Sequence, residues 1–373
     1  MHRRESERRA LKRKLEHNVN IHMPAPRRIG KTWTINRLAE DLRKAGWLVV
    51  ELDVQGMAKP DEFARTLCDR IQKQLPASSG LTAGVRARFK NIIGGGWDGT
   101  PIEAIGKIDP ISFLETLIEQ LTEENADVAI LVDEIAFFLL AFAEWDPDLA
   151  KKFFYRLRGL QLQYRSVRWL LTGSIGLDVV SRRFGLQGAF VDLETFILEP
   201  FTTDEARSYL LDADIQATFN HRFVADDADL DHMFNELGWL APYYLSLIAN
   251  ALRPSGPSVD GAATATRADF DAAFDALIRP GRKAEFAVWR EHVDKNLPDP
   301  DQGIARAVLN RLSQEADGEI RDTLLAALPA TSMARLGDVL DILENDGLVI
   351  KVEGRYRFRS GLVRRYWKEY EAL

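Results

Sequence analysis

The chain has 373 residues, of which 46% are apolar and 28% are charged, and its formal net charge is −7. This composition is that of a globular protein with two or three domains, and its acidity excludes a global electrostatic preference for nucleic acid. The single cysteine, Cys68, excludes an internal disulfide framework, and six scattered histidines predict no zinc site. No apolar run is long enough to cross a membrane and no signal peptide is visible, so we expect a cytoplasmic protein without membrane contacts.

The N-terminal segment is strongly basic, although the whole chain is acidic. Seven Arg or Lys and two Glu lie among its first fourteen residues. This pattern favours a solvated amphipathic helix, and an arm that binds nucleic acid or a membrane is the alternative.

A strand, a loop and a helix follow in the order that a phosphate-binding site requires. Residues 18–23 alternate as a short strand, and helical spacing of apolar residues begins after Lys31 and ends before Gly46. Between them, the backbone amides of a loop ending in Gly-Lys-Thr can wrap phosphates, with the helix N-terminus directed at the anion. The predicted phosphate-binding residues are Ala25, Pro26, Arg27, Arg28, Ile29, Gly30, Lys31 and Thr32.

Three residues of this loop have specific predicted roles. Gly30 allows the backbone to approach the phosphate, Lys31 brings a catalytic positive charge to the outer phosphates, and the Thr32 hydroxyl is a predicted Mg²⁺ ligand. Ala25 stands where the usual pattern has its first glycine. A surface turn rich in Arg and Pro is therefore the alternative interpretation of this segment.

A second element of a nucleotide site follows at residues 128–134. The run from Val128 to Val132 is continuously apolar, as expected of a central parallel strand, and it ends in Asp133 and Glu134. We expect Asp133 to hold Mg²⁺, directly or through water, and Glu134 to orient and deprotonate the attacking water. The adjacent second acid favours hydrolysis over binding alone, and an exposed acidic turn is the alternative.

Hydroxyl side chains end the strand predicted at 167–172. Ser174 is the preferred catalytic sensor of the γ-phosphate, and Thr172 is the second choice as a nucleotide-binding residue. Arg158, in the preceding helix, is the candidate for an arginine finger that reaches a nucleotide bound by a neighbouring subunit. A surface arginine would have the same appearance in the sequence.

The predicted elements alternate between strands and helices over residues 1–199. This alternation predicts an α/β fold, a three-layer P-loop NTPase core with a parallel sheet, whose catalytic groups gather at the carboxyl ends of the strands. A mobile insertion is predicted at 80–110, and a hairpin that contacts a partner or nucleic acid is the alternative. The predicted strands are 18–23, 47–52, 128–132, 167–172 and 190–198, and the predicted helices are 31–45, 61–75, 111–124 and 148–163.

With these residues placed, the chain resembles the AAA-like STAND ATPases of bacteria and archaea, which are related to origin-binding ATPases. The resemblance rests on residues 25–32, 132–134 and 171–177, and on the run 237–245, which resembles the lid motif of that family. It implies that Pro242 contacts the nucleotide; the start of a helix is the alternative role, since Pro242 lies four residues after Gly238 rather than two. It also implies ATP and Mg²⁺ as cofactors, and a helical lid, placed at 200–298, that moves relative to the ATPase core.

Residues 299–373 have the pattern of a winged-helix domain. Helices are predicted near 302–314, 319–327 and 332–346, and a hairpin turn at Glu353-Gly354 separates strands 348–352 and 355–359. Acidic residues on the third helix disfavour sequence-specific DNA binding, so docking onto the ATPase core or a protein partner is preferred.

We therefore expect an Mg²⁺-dependent ATP hydrolase that acts as a nucleotide-driven conformational switch for a partner protein or nucleic acid, with self-association into a homo-oligomer as a further expectation. One alternative is a non-hydrolysing, ATP-gated DNA-binding regulator. Another is the ATPase component of a transposition or defence system.

Overall fold

The computed structural model describes residues 4–74, 109–123, 127–174, 176–297, 299–329 and 333–372. The insertion predicted at 80–110 lies outside the described residues except for its last two. The chain divides into two compact units. One, here called the core unit, comprises Ser6–Ala25 and Lys31–Leu198, and the other, called the C-terminal unit, comprises Met1–Glu5, Pro26–Gly30 and Glu199–Leu373.

The core unit is built on a five-stranded parallel sheet, which confirms the predicted α/β fold class. The strands are β1 (Ile21–Pro24), β2 (Leu48–Asp53), β3 (Val128–Asp133), β4 (Val167–Gly173) and β5 (Glu194–Thr195). Their order in the sheet is β2-β3-β4-β1-β5, so β4 lies between β1, which precedes the Gly-Lys-Thr loop, and β3, at whose end the two acids lie.

The fifth strand is much shorter than the prediction of 190–198. A 3-10 turn at Gln187–Ala189 and a reverse turn closed by the Leu193 N–H on the Phe190 carbonyl occupy most of the segment before it. Only Glu194–Thr195 pairs with β1, at the edge of the sheet.

Helices flank this sheet. Two of them, Ile135–Trp145 and Leu177–Arg183, were not predicted, because the first is apolar nearly all round and the second is only seven residues long. The helices of the core unit are Lys31–Lys44, Pro60–Gln74, Pro110–Glu123, Ile135–Trp145, Pro147–Gln163 and Leu177–Arg183, and Glu5–Glu16 precedes the sheet.

Both faces of the sheet are buried, so it is the middle of three layers. On one face, alternate strand residues such as Ile130 and Trp169 join a cluster with the apolar sides of the helices, including stacked rings of Phe63 and Phe138. Cys68 lies in this cluster, as predicted, and burial raises the pKa of its thiol to about 12. A thiol with so high a pKa is an inert core residue at neutral pH.

The C-terminal unit is mainly helical, with two small three-stranded sheets. One sheet joins Phe223–Val224, Ala262–Thr264 and Ser258–Val259, and it was not predicted. The helices are Thr203–Leu211, Ala213–Gln216, Asp227–Leu237, Pro242–Ala251, Arg267–Leu277, Ala284–Asn296, Asp301–Gln314, Arg321–Ala326, Leu336–Asn345 and Gly361–Tyr370.

The second sheet lies near the C-terminus and corrects one helix prediction. Val349–Val352 and Arg355–Phe358 form an antiparallel hairpin, close to the predicted positions, whose turn residues Glu353 and Gly354 both have positive φ. Glu319–Ile320 is a third strand on this sheet, and a helix begins only at Arg321. The prediction of a helix over 319–327 was wrong at its start, because the tertiary pairing with Arg355 and Tyr356 draws these two residues into an extended conformation.

Among the described residues, no helix combines the length and the apolar character needed to cross a membrane.

One half-buried histidine lies in the central sheet. The imidazole of His22, in β1, has no hydrogen-bond partner at Nε2. Burial lowers the pKa of His22 to about 4, although the nearby carboxylate of Asp178 acts in the opposite direction. The folded protein therefore keeps this ring neutral at a pH where an unfolded chain would protonate it.

We expect His22 to make the protein sensitive to mild acid. Its pKa is lower in the folded state than in the unfolded state, so the free energy of unfolding falls as the pH drops below 6.5 towards 4. Between pH 7 and pH 5 the wild type should lose about 2 kcal/mol more than His22→Gln, measured by urea unfolding at each pH. Equal slopes for the wild type and His22→Gln would contradict this assignment.

Candidate functional site

The ammonium group of Lys31 lies between two carboxylates in the core unit. Its Nζ is 2.7 Å from Asp133 Oδ1 and 2.5 Å from Glu134 Oε1. Lys31 begins the helix that follows β1, and the two acids lie where β3 ends, so all three groups meet at the carboxyl end of the sheet. Lys31 and Glu134 are each only 8% exposed, which makes this a nearly buried charge cluster.

Two residues at the end of β4 complete the hydrogen bonding of the acids. Thr172 Oγ1 donates to Asp133 Oδ1 at 2.6 Å. The backbone N–H and the hydroxyl of Ser174 both donate to Glu134 Oε2, at 3.0 and 3.1 Å. Since β4 lies between β1 and β3, its end lies beside the acids. A buried charge cluster is stable only with such hydrogen-bond partners.

The backbone of Glu134 is in the left-handed region, with φ 60° and ψ 37°. This residue is the N-cap of the helix Ile135–Trp145, and its N–H donates to Asp133 Oδ1 at 3.0 Å. A residue other than glycine rarely adopts this backbone conformation. It costs about 1 kcal/mol or more and is typical of functional sites. The sharp turn directs two consecutive acids towards the same lysine.

The two ends of the Gly-Lys-Thr loop, Ala25 and Thr32, also belong to the core unit. The Ala25 N–H donates to the Gly173 carbonyl at 3.1 Å, which ties the start of the loop to the end of β4. Thr32 is exposed in the first turn of the helix that begins at Lys31. The first N–H groups of a helix have no partner within the helix, so this end is a natural site for an anion.

The middle of the loop, Pro26–Gly30, belongs to the C-terminal unit. The guanidinium of Arg28 lies 4.1 Å from the centroid of the Tyr243 ring. Gly30 has φ +94°, and Pro242 Cγ lies 3.9 Å from the position that a Cβ atom on Gly30 would occupy. Pro242 thus begins a helix and also lies beside the glycine of the loop.

Two further loop residues, Ile29 and Pro26, contact other parts of the C-terminal unit. The carbonyl of Ile29 accepts a hydrogen bond from Arg4 Nη2 at 3.0 Å. A Cβ atom on Gly347 would lie 2.6 Å from Pro26 Cβ and 3.1 Å from Trp239 Cη2, so the backbone at Gly347 packs directly on the loop. Arg27, the remaining loop residue, is half-buried.

Arg158 lies away from the lysine cluster. Its Nε donates to Asp192 Oδ2 at 2.5 Å, and this hydrogen bond raises the pKa of the guanidinium. Asp192 precedes Glu194, which pairs with the first residue of β1, so Arg158 lies at the amino end of the sheet while the cluster lies at the carboxyl end. Its suggested role towards a neighbouring subunit stays a prediction.

Sequence reasoning did not find the contacts of Tyr243, Trp239 and Gly347 with the loop. In the sequence, Gly347 follows the last turn of a predicted helix. This position indicates where the helix ends but does not indicate which residue contacts the glycine. The partners of a glycine that is more than three hundred residues away from Pro26 in the chain are set by tertiary packing.

The oxygen donors at this site fit Mg²⁺. The Thr32 hydroxyl and the Asp133 carboxylate are hard ligands, and Mg²⁺ is commonly bound by one or two such groups together with substrate phosphates. The described part of the chain contains no group of three or more His, Cys, Asp or Glu side chains that could form a protein-only metal cage.

The sequence matches no protein-family profile and no curated protein. Solved structures do match. A Walker-type ATPase of Pyrococcus abyssi has a TM-score of 0.64 and 15% identity, over 98% of this chain and 95% of that chain. The ORC2 protein of Aeropyrum pernix, solved as ADPNP and ADP complexes, has a TM-score of 0.54 and 15% identity, over 98% of this chain and 92% of that chain.

The fold is that of a P-loop NTPase. At these identities the likeness shows the fold alone, and it is consistent with the parallel sheet and with the position of the lysine after β1.

Removing the lysine should destabilise the protein in the absence of any ligand. Lys31→Met leaves two nearly buried carboxylates without their cation, which we expect to cost about 2 kcal/mol, below the range for fully buried pairs because Asp133 keeps some exposure. Urea unfolding measures the loss. Lys44→Met, at the exposed end of the same helix, should change the free energy of unfolding by less than about 0.5 kcal/mol, and equal effects of both variants would contradict the buried cluster.

Proposed function

We propose that the protein binds ATP with Mg²⁺ and hydrolyses it, and that the nucleotide state switches the conformation of the C-terminal unit. The observation that carries this proposal is the position of Lys31 between Asp133 and Glu134 at the carboxyl end of a parallel sheet. The similar Pyrococcus abyssi protein is a Walker-type ATPase, and the similar Aeropyrum pernix protein was solved with nucleotides; both findings support the proposal.

Nucleotide binding would use the loop Ala25–Thr32. Left-handed backbone at Arg28 and Gly30 turns a loop in the way that anion-binding nests do, and the helix N-terminus at Lys31 adds its partial positive charge. Thr32 and Asp133 would hold Mg²⁺, which supplies positive charge that polarises the phosphates. Pro242 would contact the nucleotide, a role supported by its position beside Gly30.

The hydrogen bonds of the cluster define the proposed chemistry of the acids. A bound triphosphate competes for the Lys31 ammonium, and the Glu134 oxygen that Lys31 now occupies would then be able to accept a proton from water. Ser174 holds the other Glu134 oxygen through two hydrogen bonds and thereby orients the carboxylate. Thr172 does the same for Asp133. Water would attack the γ-phosphate, with ADP as the leaving group.

The switch proposal rests on the contacts of Pro26–Gly30 within the C-terminal unit. Phosphate binding orders a loop that packs on Tyr243 through Arg28 and on Gly347 through Pro26. Because packed groups shift between discrete arrangements rather than deform continuously, movement of the loop would be transmitted to these contacts. We assign residues 200–298 as a helical lid and 299–373 as a winged-helix domain, and their partner would be a protein, with self-association bringing Arg158 to a neighbouring nucleotide.

A second candidate is an ATP-gated DNA-binding regulator without turnover. It is favoured by exposed basic side chains on the C-terminal hairpin, where Lys351, Arg355 and Arg357 lie. Phosphate contacts need such cations. A lack of measured ATP turnover, with or without DNA, would favour this candidate over the hydrolase.

Substitution of the proposed base should separate binding from hydrolysis. Glu134→Gln keeps the volume and the hydrogen bonds from Ser174 but cannot accept a proton, so the ATP hydrolysis rate should fall by about 10² to 10⁴ while ATP still binds. Phosphate release and equilibrium binding of a fluorescent ATP analogue measure the two properties. Glu144→Gln, at the exposed end of the following helix, should be indistinguishable from wild type. Turnover of Glu134→Gln at the wild-type rate would exclude this residue as the base.

A matched pair of glycine variants tests the link between the loop and the C-terminal unit. Gly347 and Gly354 have similar φ, +84° and +82°, but a Cβ atom on Gly347 meets Pro26, whereas one on Gly354 meets nothing within 4 Å. Alanine is strained equally at both sites, so the difference between them reports the contact. We expect Gly347→Ala to weaken ATP binding at least fivefold relative to Gly354→Ala. Equal affinities would show that this contact does not couple to the nucleotide.

A further inference from the structure

A cavity of about 360 Å³ lies in the C-terminal unit, where two helices end. The helices Pro242–Ala251 and Arg267–Leu277 both direct their carboxyl ends to it. Three arginines line the cavity, and among the described residues that line it none is acidic. They are Arg253, Arg279 and Arg282. A cavity of this volume is within the range that holds small molecules.

The three arginines of this cavity carry more positive charge than the neighbouring negative groups balance. Each helix carboxyl end has a partial charge of about −0.5, so roughly one cation balances the two of them. Arg282 also has a carboxylate partner, since its Nη1 lies 3.5 Å from Glu285 Oε1. Within the described part of the chain, Arg253 and Arg279 form no ion pair with a carboxylate. About one positive charge therefore remains without a protein counter-charge, in a chain whose net charge is −7.

Hydrogen bonds within the protein hold the uncharged part of the cavity wall in place. Asn220 is held by two hydrogen bonds to Asn250, from its N–H to Oδ1 at 3.2 Å and from its Nδ2 to the backbone carbonyl at 2.8 Å. Asn250 Nδ2 in turn donates to the Ser246 carbonyl at 2.9 Å. His221, the next residue in the chain, also lines the cavity. The uncharged residues beside the arginines are therefore already held in place without a ligand.

We propose that the juxtaposition of Arg253, Arg279 and Arg282 around this cavity forms a binding site for the phosphate group of a small phosphorylated molecule. Arginine presents a planar fork of N–H donors that pairs with two phosphate oxygens at once, which a lysine cannot do. The cavity volume favours a small molecule over a nucleic-acid backbone, which would need a groove rather than a pocket. The site is distinct from the nucleotide loop, and the proposal is independent of ATP hydrolysis.

The probe is inorganic phosphate, added by isothermal titration calorimetry against chloride at constant ionic strength. The test variant is Arg253→Gln with Arg279→Gln, and the charge-matched control is Arg70→Gln with Arg267→Gln. All four arginines are exposed, so both variants should fold, and circular dichroism checks this. Arg282→Gln is a second, single test variant should the double variant prove unstable.

We expect phosphate to bind the wild type and the control equally, and the test variant at least tenfold more weakly. Phosphate binding at the Gly-Lys-Thr loop alone would be retained in all three proteins, and that result would overturn the proposal. Absence of any phosphate binding to the wild type would overturn it too. If a short single-stranded DNA binds more tightly than phosphate and the test variant abolishes this binding, the site serves a nucleic-acid backbone and the small-molecule assignment is wrong.

Discussion

The two ion pairs of Lys31 are the constraint on which the site depends. An ammonium group and two carboxylates that are nearly removed from water are stable only when each charge has partners at hydrogen-bond distance. Thr172 and Ser174 supply those partners for the acids, so the end of β4 is as necessary to the cluster as the strands that carry the charges. The same arrangement can exchange the lysine between protein carboxylates and a bound phosphate, which is the basis of the proposed chemistry.

The strand order makes this cluster possible. β1 connects through its helix to β2 at the far edge of the sheet, whereas β4 connects to β5 on the other side of β1. Such a reversal of direction leaves a crevice at the carboxyl ends of the strands, where ligands bind in open α/β sheets. Lys31 and Asp133 reach this crevice from two strands that are not neighbours, and Thr172 and Ser174, at the end of the strand between those two, donate hydrogen bonds to the acids.

The Gly-Lys-Thr loop has residues in both units. Ala25 and Lys31 belong to the core unit, but the five residues between them pack within the C-terminal unit. The proposed phosphate binding and the packing of Tyr243 and Gly347 would therefore involve the same short stretch of backbone. This shared stretch supports the proposed switch, since a ligand shifts a conformation only by contacting it differently in its different states.

The sequence alone determined the α/β class, the positions of four of the five core strands, and the presence of a Gly-Lys-Thr loop after one strand and of two consecutive acids after another. These features follow from local periodicity and from backbone requirements, and both are written in neighbouring residues. It did not reveal the helix Ile135–Trp145, whose residues are apolar on nearly every side, or the strand at Glu319–Ile320, which exists only through its pairing with Arg355 and Tyr356.

Tertiary structure alone decided which groups meet. The insertion of β4 between β1 and β3, the contact of Gly347 with Pro26 and the gathering of three arginines around one cavity join residues far apart in the chain. Periodicity reports which face of an element is buried but not which other element buries it. Neighbours across the fold are chosen by packing and by the pairing of buried charges, which act only once the chain has folded.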